Sequence, residues 1–223
     1  AKESRIHYGF SLETGNFLWE TAPEKYLNAW DDSLNVARMI ANGRFYSTSI
    51  SGIVNCYDVK DGKLLWTYAA ADPYTEEQFS NNWWLRPMFV TNDYAYFGHL
   101  EHSANNPRPR GAPFICLNTS SGELVWRING AFRQSRWGGR AIIGDSIIAT
   151  QDTYNQQVYG IVKGPSKLTV TAPNIGVPQG TSVIISGSVS DVSPGTNDDA
   201  IKMRFPNGVP AMSDTSQSDW MLY

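Results

Sequence analysis

The sequence is short of the residues that most often carry chemistry. It has two cysteines and three histidines among 223 residues, and only 17% of it is charged. No Ser/His/Asp, Cys/His or phosphate-loop constellation occurs, so nothing in the sequence specifies a reaction. No run of 18 apolar residues exists, which leaves no candidate for a membrane-spanning helix. The net charge of −3 gives no reason to expect nucleic acid or an anionic membrane as a partner. No signal peptide is legible, and the chain begins at Ala1 without Met, as a processed product or a fragment would. What is abundant is different. Aromatic residues make up 13%, with 19 glycines and 12 prolines, a β-rich composition with many turns. The length suits one or two domains.

One pattern recurs three times. Gly9 to Trp19 reads GFSLETGNFLW, Cys56 to Trp66 reads CYDVKDGKLLW, and Cys116 to Trp126 reads CLNTSSGELVW. In each, a small residue precedes a glycine by six positions and a tryptophan follows that glycine by four. Two hydrophobic runs around an Asp/Ser/Gly turn predict a β-hairpin. The tryptophans lie 47 and 60 residues apart. A self-similar unit of about 40–50 residues built from short strands is the signature of a propeller blade.

These residues resemble the tryptophan-docking motif, Ala-x-Asp-x-x-Thr-Gly-x-x-x-Trp, of the pyrroloquinoline-quinone-type β-propeller repeat. The resemblance implies that Gly15, Gly62 and Gly122, with Trp19, Trp66 and Trp126, pack neighbouring blades together. The Ala slot holds Gly9, Cys56 and Cys116. The Asp slot holds Ser11, Asp58 and Asn118, and the Thr slot holds Thr14, Asp61 and Ser121. Equivalent points on adjacent blades should be farther apart than the roughly 7 Å Cα limit for a disulfide, so both cysteines are expected to be unpaired and buried. The resemblance covers about the first 164 residues and implies a fold rather than an activity.

The expected architecture is all-β: a partial propeller of about three and a half four-stranded blades over residues 1–164, then an incomplete immunoglobulin-like β segment over 165–223. Residues 5–20 read as two outer strands of a blade without its inner pair. Residues 34–68 read as a whole blade, with strands Val36 to Ile40 and Phe45 to Ser49 around an Asn42-Gly43 turn. The next blade runs from about Trp84 to Ile128, interrupted by His99 to Pro113, an aperiodic stretch expected to be an exposed loop. A fourth unit has strands at Arg140 to Ile143, Ile147 to Thr150 and Gln157 to Ile161. Beyond Gly164-Pro165, Lys167 to Thr171 and Ser182 to Ser190 alternate as strands do and resemble the opening of immunoglobulin-like surface modules. Ser193 to Ser218 is expected to be a long loop.

The candidate sites each have a plainer reading beside them. His99, Glu101 and His102 would suit Zn²⁺ or Cu²⁺, but their spacing matches no established metal pattern, and a polar loop without metal is expected. Asp191, Asp198 and Asp199 lie in a loop that would suit Ca²⁺ or simply be solvated, and the solvated reading is favoured. His7 reads as isolated. Asn118-Thr119-Ser120 is an N-glycosylation sequon, and Asn118 also suits the turn itself. Arg108, Arg110, Arg127, Arg133, Arg136 and Arg140 surround Trp137 and would suit an acidic partner or a glycan. The quinoprotein resemblance brings in a quinone held by an adjacent-cysteine disulfide, a stacking Trp and Ca²⁺ ligands. Trp83-Trp84 would supply a ring, but no Cys-Cys pair exists, and no cofactor is expected.

The function expected is therefore non-catalytic: a binding or scaffolding component of an extracytoplasmic, secreted or cell-surface assembly in a prokaryote. Its partner would be another protein, further parts of the same polypeptide that complete the propeller, or a glycan. Two alternatives are the cofactor-poor part of a quinoprotein dehydrogenase and a periplasmic propeller similar to outer-membrane assembly factors.

Overall fold

A computed structural model describes residues 4–25, 38–49, 51–72, 81–101, 112–130, 133–135, 140–144, 147–152, 156–162, 164–197 and 199–211. The chain divides into two compact units with the break between Ile161 and Val162.

The first unit is a series of antiparallel sheets. Strands β1 (Tyr8–Phe10) and β2 (Phe17–Glu20) pair alone. Strands β3 (Arg38–Ala41), β4 (Arg44–Ser47), β5 (Ile53–Asp58) and β6 (Leu64–Ala69) follow as a four-stranded meander. Its first turn has Asn42 and Gly43 both at positive φ, 49° and 72°, the geometry that matches the twist of a two-residue hairpin. Strands β7 (Leu85–Val90), β8 (Tyr94–Glu101), β9 (Ala112–Asn118) and β10 (Leu124–Gly130) repeat that meander. Strand β11 (Arg133–Ser135) joins this sheet by pairing parallel to the last three residues of β8, a strand the sequence pattern did not reveal. Strands β12 (Ile142–Gly144), β13 (Ile147–Gln151) and β14 (Val158–Ile161) form a three-stranded sheet. The first strand of the third sheet, β7, touches β3 on one side and β12 on the other, as inner strands do around a propeller axis. Among the described residues no sheet closes on itself. The fold is a partial, open propeller.

The core lies between blades. Tyr46, Val54, Cys56, Trp66 and Ala70 of the second blade pack against Trp83, Leu85, Ala95, Phe97, Ile115 and Leu117 of the third. Met88, Tyr96, Phe114, Cys116 and Ile128, on the other face of the third blade, pack against Ala141 and Ile148 of the fourth. Alternate residues of β8 and β9 therefore serve two different cores, because successive side chains of a strand point to opposite faces. This sheet is buried on both sides, and its strands read as nearly continuous apolar runs such as APFICL.

The second unit pairs β15 (Ser166–Thr171) with β16 (Ser186–Asp191), antiparallel, so the second strand begins later than the Ser182 expected from alternation. The expected loop from Ser193 contains a 3-10 turn at Pro194–Asn197 and a short helix, α1 (Asp199–Arg204). Asp199 in the first turn of α1, and Lys202 and Arg204 in its last, suit the helix dipole. The remainder of that expected loop, from Met212, lies outside the described residues.

Candidate functional site: the ties between blades

The three repeated hairpins are superimposable in their bonding. Gly9 faces Trp19, Cys56 faces Trp66 and Cys116 faces Trp126, each with a register irregularity beside the pair. In each turn the glycine N–H donates to the carbonyl four residues back: Gly15 to Ser11, Gly62 to Asp58, Gly122 to Asn118. The side chain at that earlier position accepts from turn amides. Ser11 Oγ accepts from Glu13 and Thr14, Asp58 Oδ1 from Lys60, and Asn118 Oδ1 from Ser120 and Ser121. Ser, Asp and Asn are interchangeable here because each offers a short oxygen acceptor. Gly15, Gly62 and Gly122 have φ of 71°, 71° and 75°, where a Cβ is strained.

Two of these glycines also carry an indole. A Cβ on Gly62 would lie 2.5 Å from Trp19 Cε3, and one on Gly122 would lie 2.5 Å from Trp66 Cδ2. Each indole N–H then donates to the carbonyl three residues before its glycine, Trp19 to Val59 at 2.8 Å and Trp66 to Thr119 at 2.9 Å. Trp66 is buried, whereas Trp19 and Trp126 are half-buried. Trp126 packs against Tyr96 and Phe114. Cys56 and Cys116 are free and buried. Burial pushes both thiols up to about 12, so they are neutral packing groups.

A buried polar cluster adds a second tie. Glu24, just after β2, receives Ser47 Oγ of β4 on Oε2 and Tyr57 OH of β5 on Oε1, each at 3.0 Å. His7 Nε2 lies 3.0 Å from Glu24 Oε1 and 3.2 Å from Ser47 Oγ, and its ring sits edge-on to Phe45. Burial, and then the Glu24 carboxylate, push the Tyr57 phenol well above its usual range. His7 is therefore not isolated: it locks the segments flanking the first hairpin onto the second blade. Glu24 carried no sequence signal, since a glutamate between Pro23 and Lys25 looks solvated. Glu24 and Tyr57 also line a groove of 390 Å³ together with Glu20, Asn55 and Thr67.

His99 departs most from expectation. It lies on β8 rather than in an exposed loop, is 1% exposed, and contacts the Trp84 carbonyl through Nδ1 at 3.0 Å. The Trp83 ring sits edge-on to it at 5.1 Å. Burial lowers its pKa to about 4, so the imidazole is neutral at pH 7. Sequence spacing placed it in the insertion because strand β8 runs three residues beyond its apolar alternation. The Glu101 side chain and His102 lie outside the described residues, as do Asp198, Arg108, Arg110, Arg136, Trp137 and the Arg133 side chain. Arg127 donates to the Ala71 carbonyl, which ties β10 to the chain after β6. Asn118 is half-buried and spends its side-chain oxygen on its own turn. Asp191 accepts from Ser193 N and Oγ. Among the described residues no three His, Cys, Asp or Glu side chains converge as a metal site. Among them too, no helix is long and apolar enough to cross a membrane.

Residues 2–97 match the sequence model of the PQQ_2 family, described as outer membrane protein assembly factor BamB. The match makes the first part of the chain similar to that family and covers less than half of the chain. Among solved structures, it is similar to BamB from Moraxella catarrhalis, with 16% identity, a TM-score of 0.40, and coverage of 70% of this chain and 46% of that one. It is also similar to the quinohemoprotein alcohol dehydrogenase from Comamonas testosteroni, at 12% identity and a TM-score of 0.37, covering 84% of this chain and 37% of that one. A europium-containing methanol dehydrogenase aligns at 17% identity and a TM-score of 0.36, over 56% of this chain and 21% of that one. The chain thus spans less than half the length of each. No curated protein matches the sequence.

Proposed function

We propose that this chain is a non-catalytic binding component of an extracytoplasmic assembly in a prokaryote, presenting a rigid propeller surface to a protein partner. The observation that carries the reading is how the polar groups are used. Glu24, His7, Tyr57 and the indole N–H groups of Trp19 and Trp66 all bond between blades, which makes the blades one stiff body. We read Gly62 and Gly122 with Trp19 and Trp66 as the docking pairs of the repeat. The match to a family of outer-membrane assembly factors supports a periplasmic setting and a protein partner. The second unit belongs to the same assembly in this reading, as a β module of immunoglobulin-like type.

The test is a pair of measurements on the 223-residue chain. Titration with pyrroloquinoline quinone and Ca²⁺, followed by absorbance and a dye-linked alcohol oxidation assay, is expected to give neither saturable binding nor turnover. Turnover would replace this reading with that of a quinoprotein dehydrogenase segment.

A further inference from the structure

The second blade leaves part of one face open. Val54 and Cys56 of β5 enter the core shared with the third blade, so Ile53, Asn55 and Tyr57 point to the opposite face. Together with Leu64 and Thr67 of β6 they line the 390 Å³ groove, whose other wall is the run from Glu20 to Lys25. The groove follows β5 from Ile53 to Tyr57, about 13 Å at the rise of a strand. Its polar groups are unevenly used. Glu24 is engaged by Tyr57, Ser47 and His7. Glu20 is exposed, and Asn55 and Thr67 face each other across β5 and β6. Among the described residues none of these three side chains has a hydrogen-bond or ion-pair partner. Apolar surface lies beside them, from Pro23 and from Leu64, which is 48% exposed. The lining carries two carboxylates, Glu20 and Glu24, against one ammonium, Lys25. The wall also has an open edge. Thr21 N–H donates to the His7 carbonyl, on the β1 side. In an antiparallel pair the groups of the adjacent residue point the other way, so the Glu20 N–H and carbonyl face away from β1. No strand among the described residues pairs with that edge of β2.

We infer that this groove takes an extended segment of a partner protein, which adds as a strand beside β2 and places a lysine or arginine side chain in the groove. The inference rests on the binding reading above and names the surface and the residue type it selects. Backbone bonds to Glu20 fix the register of the segment, as in other strand additions to an open sheet edge. The residue directly opposite Glu20 then has its side chain on the same side of the sheet as the Glu20 carboxylate. That carboxylate favours an ammonium or guanidinium group. The apolar stem of such a side chain covers Leu64 and Pro23 while its charged head stays hydrated near Glu20. The side-chain oxygens of Asn55 and Thr67 are free to accept its remaining N–H groups. An acidic segment would meet two carboxylates across one ammonium. The excess of carboxylate over ammonium therefore makes the occupant basic, and the open edge makes it an extended chain.

The probes are the peptide acetyl-Thr-Val-Lys-Val-Thr-amide and its arginine counterpart, each added to the ¹⁵N-labelled 223-residue chain. The flanking residues are strand formers. The expected result is saturable amide shifts at Glu20, Ala22, Asn55 and Thr67 with at least one of the two. Norleucine in place of the basic residue should weaken binding about three- to fivefold, the size of an exposed ion pair. Glu20→Gln should weaken the basic peptide by the same factor and leave the norleucine peptide unchanged, so that the two losses do not add. N-methylation of the central amide removes its donor to β2 and should abolish the shifts. Absence of saturable shifts with both basic peptides overturns the groove, as do additive losses or a glutamate peptide that binds as tightly. Binding that survives N-methylation overturns the strand addition. Turnover of alcohol with pyrroloquinoline quinone and Ca²⁺ would remove the binding reading itself, whereas silence to the peptides without turnover removes the groove alone.

Discussion

The blades and the second unit begin from the same local pattern and end in opposite environments. In β15 and β16, Leu168 and Val170 share a face with Val189, while Thr169 and Ser188 bond to each other on the other face. That alternation is as clean as the one in β5, where Val54 and Cys56 alternate with Asn55. Val54 and Cys56 are fully buried, but Leu168 and Val170 are 68% and 63% exposed. The difference does not lie in the strands. A blade has a neighbour within reach on its apolar face, and the hairpin at 166–191 has none among the described residues of its own unit. Two strands alone bury too little to be stable in isolation. The comparison teaches that apolar alternation marks a face to be covered, and that only a second layer determines whether it is.

The largest effect that would break this comparison is at Trp66. Trp66→Ala removes an indole from the core between the second and third blades and an interblade hydrogen bond, and should cost about 3–5 kcal/mol in urea unfolding. A loss below 1 kcal/mol would mean that the interblade core does not carry the fold. Next comes the buried cluster. Glu24→Ala strands His7 and Tyr57 without their acceptor and should cost about 3 kcal/mol. Ser47→Ala, which removes one donor and leaves the carboxylate with Tyr57 and His7, should cost about 1 kcal/mol.

The pH dependence tests His99. Its folded pKa is lowered by burial, so the stability it contributes is fully present above the unfolded value near 6.5. That stability is lost as pH falls from there toward about 4, where the folded group titrates. The loss should be on the order of 2–3 kcal/mol by pH 4. A His99→Gln chain should show a flatter profile over that window, and identical profiles would place His99 in contact with water. The smallest effect belongs to the second unit. Leu168→Ser should change the stability of the chain by less than about 0.5 kcal/mol, as for an exposed site. A larger loss would show that this face is covered after all.

Much of this was legible because it is local. A turn glycine, a short oxygen acceptor four residues earlier and a tryptophan four residues later are all satisfied within one hairpin. Three copies in register therefore announced both the hairpins and the blade spacing. The short strands followed from alternation, and the free cysteines from their slot beside the tryptophans. Strand β11 was not legible, since three residues pairing parallel to a distant strand leave no periodicity. The short helix α1 was hidden because Asp, Ser and Asn around it outweighed six residues of helical spacing.

The polar chemistry divides along the same line. Sequence by itself determined which residues form each hairpin and which face of each strand is apolar, because side-chain direction follows from the period of two. Only the tertiary structure decided what those faces and polar groups meet. It set His7 against Glu24 across 17 residues and joined both to Ser47 and Tyr57 of the next blade. It also buried His99 in a strand whose flanking sequence reads as loop. The physical reason is desolvation. A carboxylate or an imidazole carries the same sequence signal in water and in a core, and becomes structural only where neighbouring blades exclude water and supply its hydrogen-bond partners.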